Sequence, residues 1–105
     1  MDHVNNFLIL TRRSANETCL PSRQQIRPKV WCLSGLRMSI QASEFHYSHP
    51  RTNTPPYTAV EIGYPNRYIP EFAPYLDLDT VYGYVPVAIV NQVIEDNGGI
   101  TQIGE

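Results

Sequence analysis

From Leu36 to Ser43 apolar and polar side chains alternate without a break. Leu36, Met38, Ile40 and Ala42 fall on one side, and Arg37, Ser39, Gln41 and Ser43 on the other. Successive side chains of a strand point to opposite faces, so a period of two predicts a strand with one face in a core and one face wet. The apolar or small series reaches back through Val30, Cys32 and Ser34. Gly35 interrupts it and reads either as a bulge or as a bend dividing two strands. Tyr57–Ile62 repeats the period, with Thr58, Val60 and Ile62 alternating against Tyr57, Ala59 and Glu61. Val81–Val85 supplies a third strand.

A different period follows. Ile89, Val90, Val93 and Ile94 recur at helical spacing, with Asn91, Gln92, Glu95 and Asp96 opposite them. Pro86 suits the first position of a helix, and Asn97-Gly98-Gly99 suits its end. In a competing reading the third strand runs on through Pro86 to Val90 as a sheet edge. Ile100–Ile103 is a candidate for a last short strand. Strands followed by a helix predict an α+β fold: a small antiparallel or mixed sheet of three to four strands, with one C-terminal helix packed on one face. The expected core is Val30, Leu36, Met38, Ile40, Val60, Ile62, Ile89, Val90, Val93 and Ile94.

Residues 1–28 lack this regularity. Phe7–Thr11 reads as a short strand or a buried helical turn, and Arg12–Arg27 is polar and ends at Pro28. The chain thus divides into a basic N-terminal arm, 1–28, and a single domain, 29–105. Charge divides it in the same sense. Residues 1–37 hold six cations against two acids, whereas residues 38–105 hold two cations against eight acids. A basic arm of this kind binds something acidic, and its own domain or a second copy would serve.

Apolar residues make up 42% of the 105-residue chain and charged residues 17%. That balance argues against global disorder and favours a surface partly covered by a partner. No apolar run approaches the ~20 residues of a membrane span, and Phe7–Leu10 is too short for a signal peptide. A cytoplasmic location without a membrane partner is expected, with Cys19 and Cys32 as reduced thiols.

Motifs for catalysis are missing. No serine stands in Gly-x-Ser-x-Gly, and no glycine-rich phosphate loop follows a strand. Asp77-Leu78-Asp79 lacks the loop, glycine and closing glutamate of a calcium site. No cofactor and no metal is expected. Glu44, His46 and His49, with Glu61 from the next strand, form the one set that could bind a small ligand or share a proton.

The tyrosines are the least random feature. All seven lie between Tyr47 and Tyr84, and seven of the nine prolines lie between Pro50 and Pro86. The stretch 63–80 reads as a long loop, and loops of that length in small domains carry function. Tyrosine offers a large contact area with a polar tip at low entropic cost. Tyr64, Arg67, Tyr68, Phe72 and Tyr75 are therefore the candidate partner-binding residues. Nucleic acid fits less well, because these rings belong to the acidic part of the sequence.

Several short stretches carry a resemblance: Met38–Ser43, Phe45-His46-Tyr47, Pro50-Arg51, Val60–Pro65, Tyr84-Val85-Pro86 and Gly98-Gly99-Ile100. Over about residues 38–100 the chain resembles small orphan proteins of prophages and integron-type gene cassettes. The resemblance implies a bacterial accessory protein, dimeric in some cases, and assigns no residue a role. Together these features predict a protein-interaction or accessory module of a mobile element, contacting a protein partner or forming a homodimer. The alternative is a small-ligand or metal-binding domain, or a minor enzyme, built on the Glu/His set.

Overall fold

The computed structural model describes residues 2–11, 27–44, 46–52, 54–78 and 80–104. Helix α1 spans His3–Leu10. Strands β1 (Val30–Cys32), β2 (Arg37–Gln41) and β3 (Ala59–Gly63) follow. A 3-10 turn at Pro70–Tyr75 leads into β4 (Leu76–Leu78) and β5 (Val81–Pro86). Helix α2 (Val87–Asp96) and β6 (Ile100–Ile103) complete the order. The fold is α+β, with one antiparallel sheet in the order β4-β5-β3-β2-β1-β6.

The sheet has six strands rather than three or four, for three local reasons. Gly35, at φ +93°, turns the chain between β1 and β2, so the long alternating run is two paired strands. β4 emerges from the expected loop 63–80 and forms a hairpin with β5. β6 pairs with β1, with Val30 opposite Ile103.

The alternation places the core as the sequence predicts. Val30, Met38, Ile40, Val60 and Ile62 are fully buried, and Leu36, Val90, Val93 and Ile94 join them in one cluster. Ile89 is only partly buried at its margin. The cluster also takes in Val4, Phe7, Leu8, Tyr57, Ile69, Phe72 and Val85.

The first three of these belong to α1, so side chains from within residues 1–28 pack into the same core as residues 29–105. Asp2 caps this helix by accepting from the Asn5 N–H at 3.0 Å, and the apolar residues 4, 7 and 8 share one helical side. Asn91 on α2 accepts the Val4 N–H at 2.9 Å and donates to Asp2 at 3.1 Å. Asn5 is buried and answers both main-chain groups of Tyr57, accepting its N–H at 2.7 Å and donating to its carbonyl at 3.0 Å. Arg27, at the end of the proposed arm, donates to the carbonyls of Ala42 and Leu8 and to Thr11 Oγ1. A basic residue of the arm is thus bonded to the domain. Residues 12–26 of the arm, with Cys19, lie outside the described residues. Cys32 is a buried free thiol, and burial raises its pKa while Arg67 draws it back.

β5 passes into α2 without a side-chain cap. Pro86 is both the last strand residue and the N-cap, and the first helical N–H, that of Val87, is taken by the Thr58 carbonyl at 2.9 Å. At the other end Gly98 and Gly99 have φ of +88° and +83°, and their N–H groups close on the Glu95 and Ile94 carbonyls.

Candidate functional site

The partner-binding set of the sequence separates into three environments. Phe72 is fully buried, its ring 5.9 Å from that of Tyr82, and so belongs to the core rather than to a contact surface. The 3-10 turn begins at a proline and carries a second at Pro74, and it rolls the Phe72 side chain inward. Tyr64 and Tyr68 are 59% and 72% exposed, and Arg67 lies between them in the sequence and is exposed. Tyr75 is half-buried and belongs to a third place, at the β4–β5 end of the sheet.

That third place is a groove of about 320 Å³ lined by Tyr47, Pro74, Tyr75, Leu76, Asp77, Gly83 and Tyr84. Its size falls at the small end of the range typical of ligand sites. A bulge builds it. Val60 pairs with Val85 and Ile62 with Tyr82, so Gly83 and Tyr84 together oppose the single residue Glu61. Tyr84 adopts φ +54°, a left-handed conformation that costs a bulky side chain on the order of 1–2 kcal/mol.

Tyr47 fits onto the bulge. Its N–H donates to Glu61 Oε2 at 3.0 Å, and its carbonyl accepts the Tyr84 N–H at 2.9 Å. Its ring stacks on that of Tyr84, with centroids 5.7 Å apart and planes at 25°. Gly83 makes the approach possible, because a Cβ there would lie 3.1 Å from Tyr47 Cβ. Tyr47, Tyr84 and Leu76 remain 40%, 46% and 52% exposed. Position 83 as glycine within a tyrosine-bearing strand was the sequence signal for this arrangement, and it points to a bulge or a close approach.

The Glu/His set does not assemble into one site. Glu61 is taken up by the Tyr47 N–H, and Ser43 Oγ shares a hydrogen bond of 2.7 Å with His46 Nδ1. Burial pushes the His46 imidazole below its ordinary pKa; Glu61 acts against this shift and Arg27 adds to it. His49 is exposed and pairs with Ala59 through its backbone, and Glu44 is exposed. Among the described residues no three His, Cys, Asp or Glu side chains converge as metal ligands. Phe45, Asn53 and Asp79 lie outside the described residues, and with Asp79 goes half of the acidic pair at 77 and 79.

Among the described residues no helix is long and apolar enough to cross a membrane. No family model matches the chain, no curated protein matches it, and no solved structure matches it at a significant level.

Proposed function

We propose that this chain is a protein-interaction module that holds a segment of a partner, or of a second copy, in the groove between the Tyr47–Tyr84 stack and the Pro74–Asp77 turn. One observation carries the reading: three tyrosines line a groove whose backbone is held by a bulge, with one of them in a strained conformation. Strain that local packing overdetermines, next to exposed rings, is characteristic of sites kept for contact rather than for stability. Tyrosine-lined grooves suit extended peptide segments, whose side chains slot between rigid rings of low entropic cost. Four of the lining residues, 74–77, belong to the Tyr/Pro-rich stretch whose composition suggested contact.

The resemblance of residues 38–100 to small mobile-element proteins supports an accessory role in a bacterial cytoplasm. Peptide-display selection tests the contact. Wild-type protein enriches a family of extended peptides, and Tyr75→Ala with Tyr84→Ala abolishes their binding while the melting transition stays cooperative. Equal enrichment by the double variant would remove the groove from the function. Sedimentation of the two proteins at matched concentrations reports on a second copy as the occupant.

A further inference from the structure

A different end of the sheet has its own surface. Asn66 fastens the loop after β3 to β2: its N–H reaches the Arg37 carbonyl at 3.0 Å, its Oδ1 accepts the Arg37 N–H at 2.9 Å, and its Nδ2 donates to Gly35 O at 3.0 Å. Arg67 donates to the Ser34 carbonyl at 3.1 Å. Tyr64, held at φ +52°, gives its N–H to Thr80. These bonds bring the loop of Tyr64, Arg67 and Tyr68 against the strand pair bearing Lys29, Trp31 and Arg37. The rings lie in the acidic part of the sequence, but Lys29, from the basic part, stands over the Tyr64 ring.

Two features of this end stand out. Lys29 Nζ lies 5.9 Å from the Tyr64 ring centre and Arg37 Cζ lies 5.1 Å from that of Trp31, so cations and rings are paired. Second, acceptors are missing. Among the described residues no carboxylate forms a salt bridge with Lys29, Arg37 or Arg67. Arg37 Nε and Trp31 Nε1 are buried without a hydrogen-bond partner. Buried donors in this state cost free energy, and an anion at the Arg37 guanidinium would add a charge-assisted hydrogen bond that the fold itself does not supply.

We propose that this end binds single-stranded nucleic acid, with Lys29, Arg37 and Arg67 against phosphates and the Tyr64 and Tyr68 rings beneath bases. An acidic protein segment would satisfy the cations but has no use for the exposed Tyr64 and Tyr68 rings beside them. A strand uses both, because every base has a face to stack and every nucleotide a phosphate.

Trp31 is the only tryptophan of the chain, so its fluorescence reports on this site. The full chain is titrated with a ten-nucleotide oligo(dT) at 50 and 200 mM salt. Three phosphate contacts predict a logarithmic salt slope of about −2, which weakens binding roughly twenty-fold between the two conditions. Arg67→Ala reduces the slope by about 0.7, and Arg37→Ala with Arg67→Ala leaves about −0.7. Tyr68→Ala weakens binding with the slope unchanged. Arg67 and Tyr68 are exposed, so these single variants keep the test valid if the double variant unfolds. The proposal is overturned by an unchanged Trp31 signal with the oligonucleotide at 50 mM salt, or by an Arg67→Ala slope equal to wild type. It is equally overturned if poly-glutamate of the same length, or the mononucleotide dTMP, binds as tightly as the strand.

Discussion

Tyr47 and Tyr84 are joined twice, by a stack of their rings and by a main-chain hydrogen bond from the Tyr84 N–H to the Tyr47 carbonyl. The second link falls where a bulge has displaced β5 from its regular pairing with β3. Tyr47 therefore completes the pairing that the bulge interrupts. The ring contact is worth about 0.5–1.5 kcal/mol beyond area burial, and a double-mutant cycle of Tyr47→Ala and Tyr84→Ala should return a coupling in that range. Because Tyr84 is left-handed, Tyr84→Asn should melt above Tyr84→Ala, by the equivalent of roughly 1 kcal/mol. Equal melting of the two would show that the conformation carries no strain.

Phe72 and Tyr68 lie four residues apart in one stretch and should respond oppositely to truncation. Phe72→Ala empties a fully buried site and should cost about 3–5 kcal/mol in denaturant unfolding. Tyr68→Ala removes an exposed ring and should stay within about 0.5 kcal/mol. Similar losses from both would place Tyr68 in the core.

Gly98 is required by both conformation and space. Its φ is +88°, and a Cβ at that position would lie 2.7 Å from Leu33 Cβ. Gly98→Ala should destabilise the protein by about 2 kcal/mol or more, since the turn after α2 has to shift. Gly99, also left-handed but with open space around its Cα, should cost less as alanine. Thermal melts of the two variants give the comparison.

The buried His46 sets a pH dependence. Its folded pKa lies below its ordinary value, because burial disfavours the charged imidazole. The unfolded chain therefore takes up the proton first as pH falls. The stabilisation is complete above the ordinary histidine value of about 6.5 and is lost as pH falls from there toward the folded value. The Asp2 carboxyl is also held below its ordinary value, so its contribution too is lost as pH falls. Burial raises it, but the Asn5 and Asn91 donors outweigh that and hold it low. The hydrogen bond from His3 likewise lowers Glu95. Both carboxylates keep their contributions until pH falls below the ordinary acid range near about 4. Melting temperatures between pH 7.5 and 5 should fall for the wild type and stay flatter for His46→Gln.

How much of this was legible in the sequence depends on the range over which each signal acts. The period of two at Leu36–Ser43 and the helical spacing at Ile89–Ile94 are local and strong, and β2 and α2 appear there. β4 has three residues and β6 gains its order from β1, some seventy positions away, so neither has a local pattern to match. Helix α1 did leave a trace: a capping aspartate at 2 with apolar residues at 4, 7 and 8. The neighbouring arginines obscured it as part of an arm. Tyrosine clustering marks the stretch that holds the exposed rings Tyr64 and Tyr68, but Phe72 has the same composition signal and is core. Only the 3-10 turn decides which ring faces inward.

The union of Asp2 with Asn91 has a consequence for the order of events during synthesis. Helix α1 meets Asn91, the α2 partner of its Asp2 cap and of its Val4 N–H, only after more than eighty further residues have been made. β1 likewise waits for β6 before both of its sides are paired. Until then the nascent chain carries Val4, Phe7 and Leu8 without their packing against α2. Closure of the domain is a late and long-range event, slow relative to the hairpins that precede it.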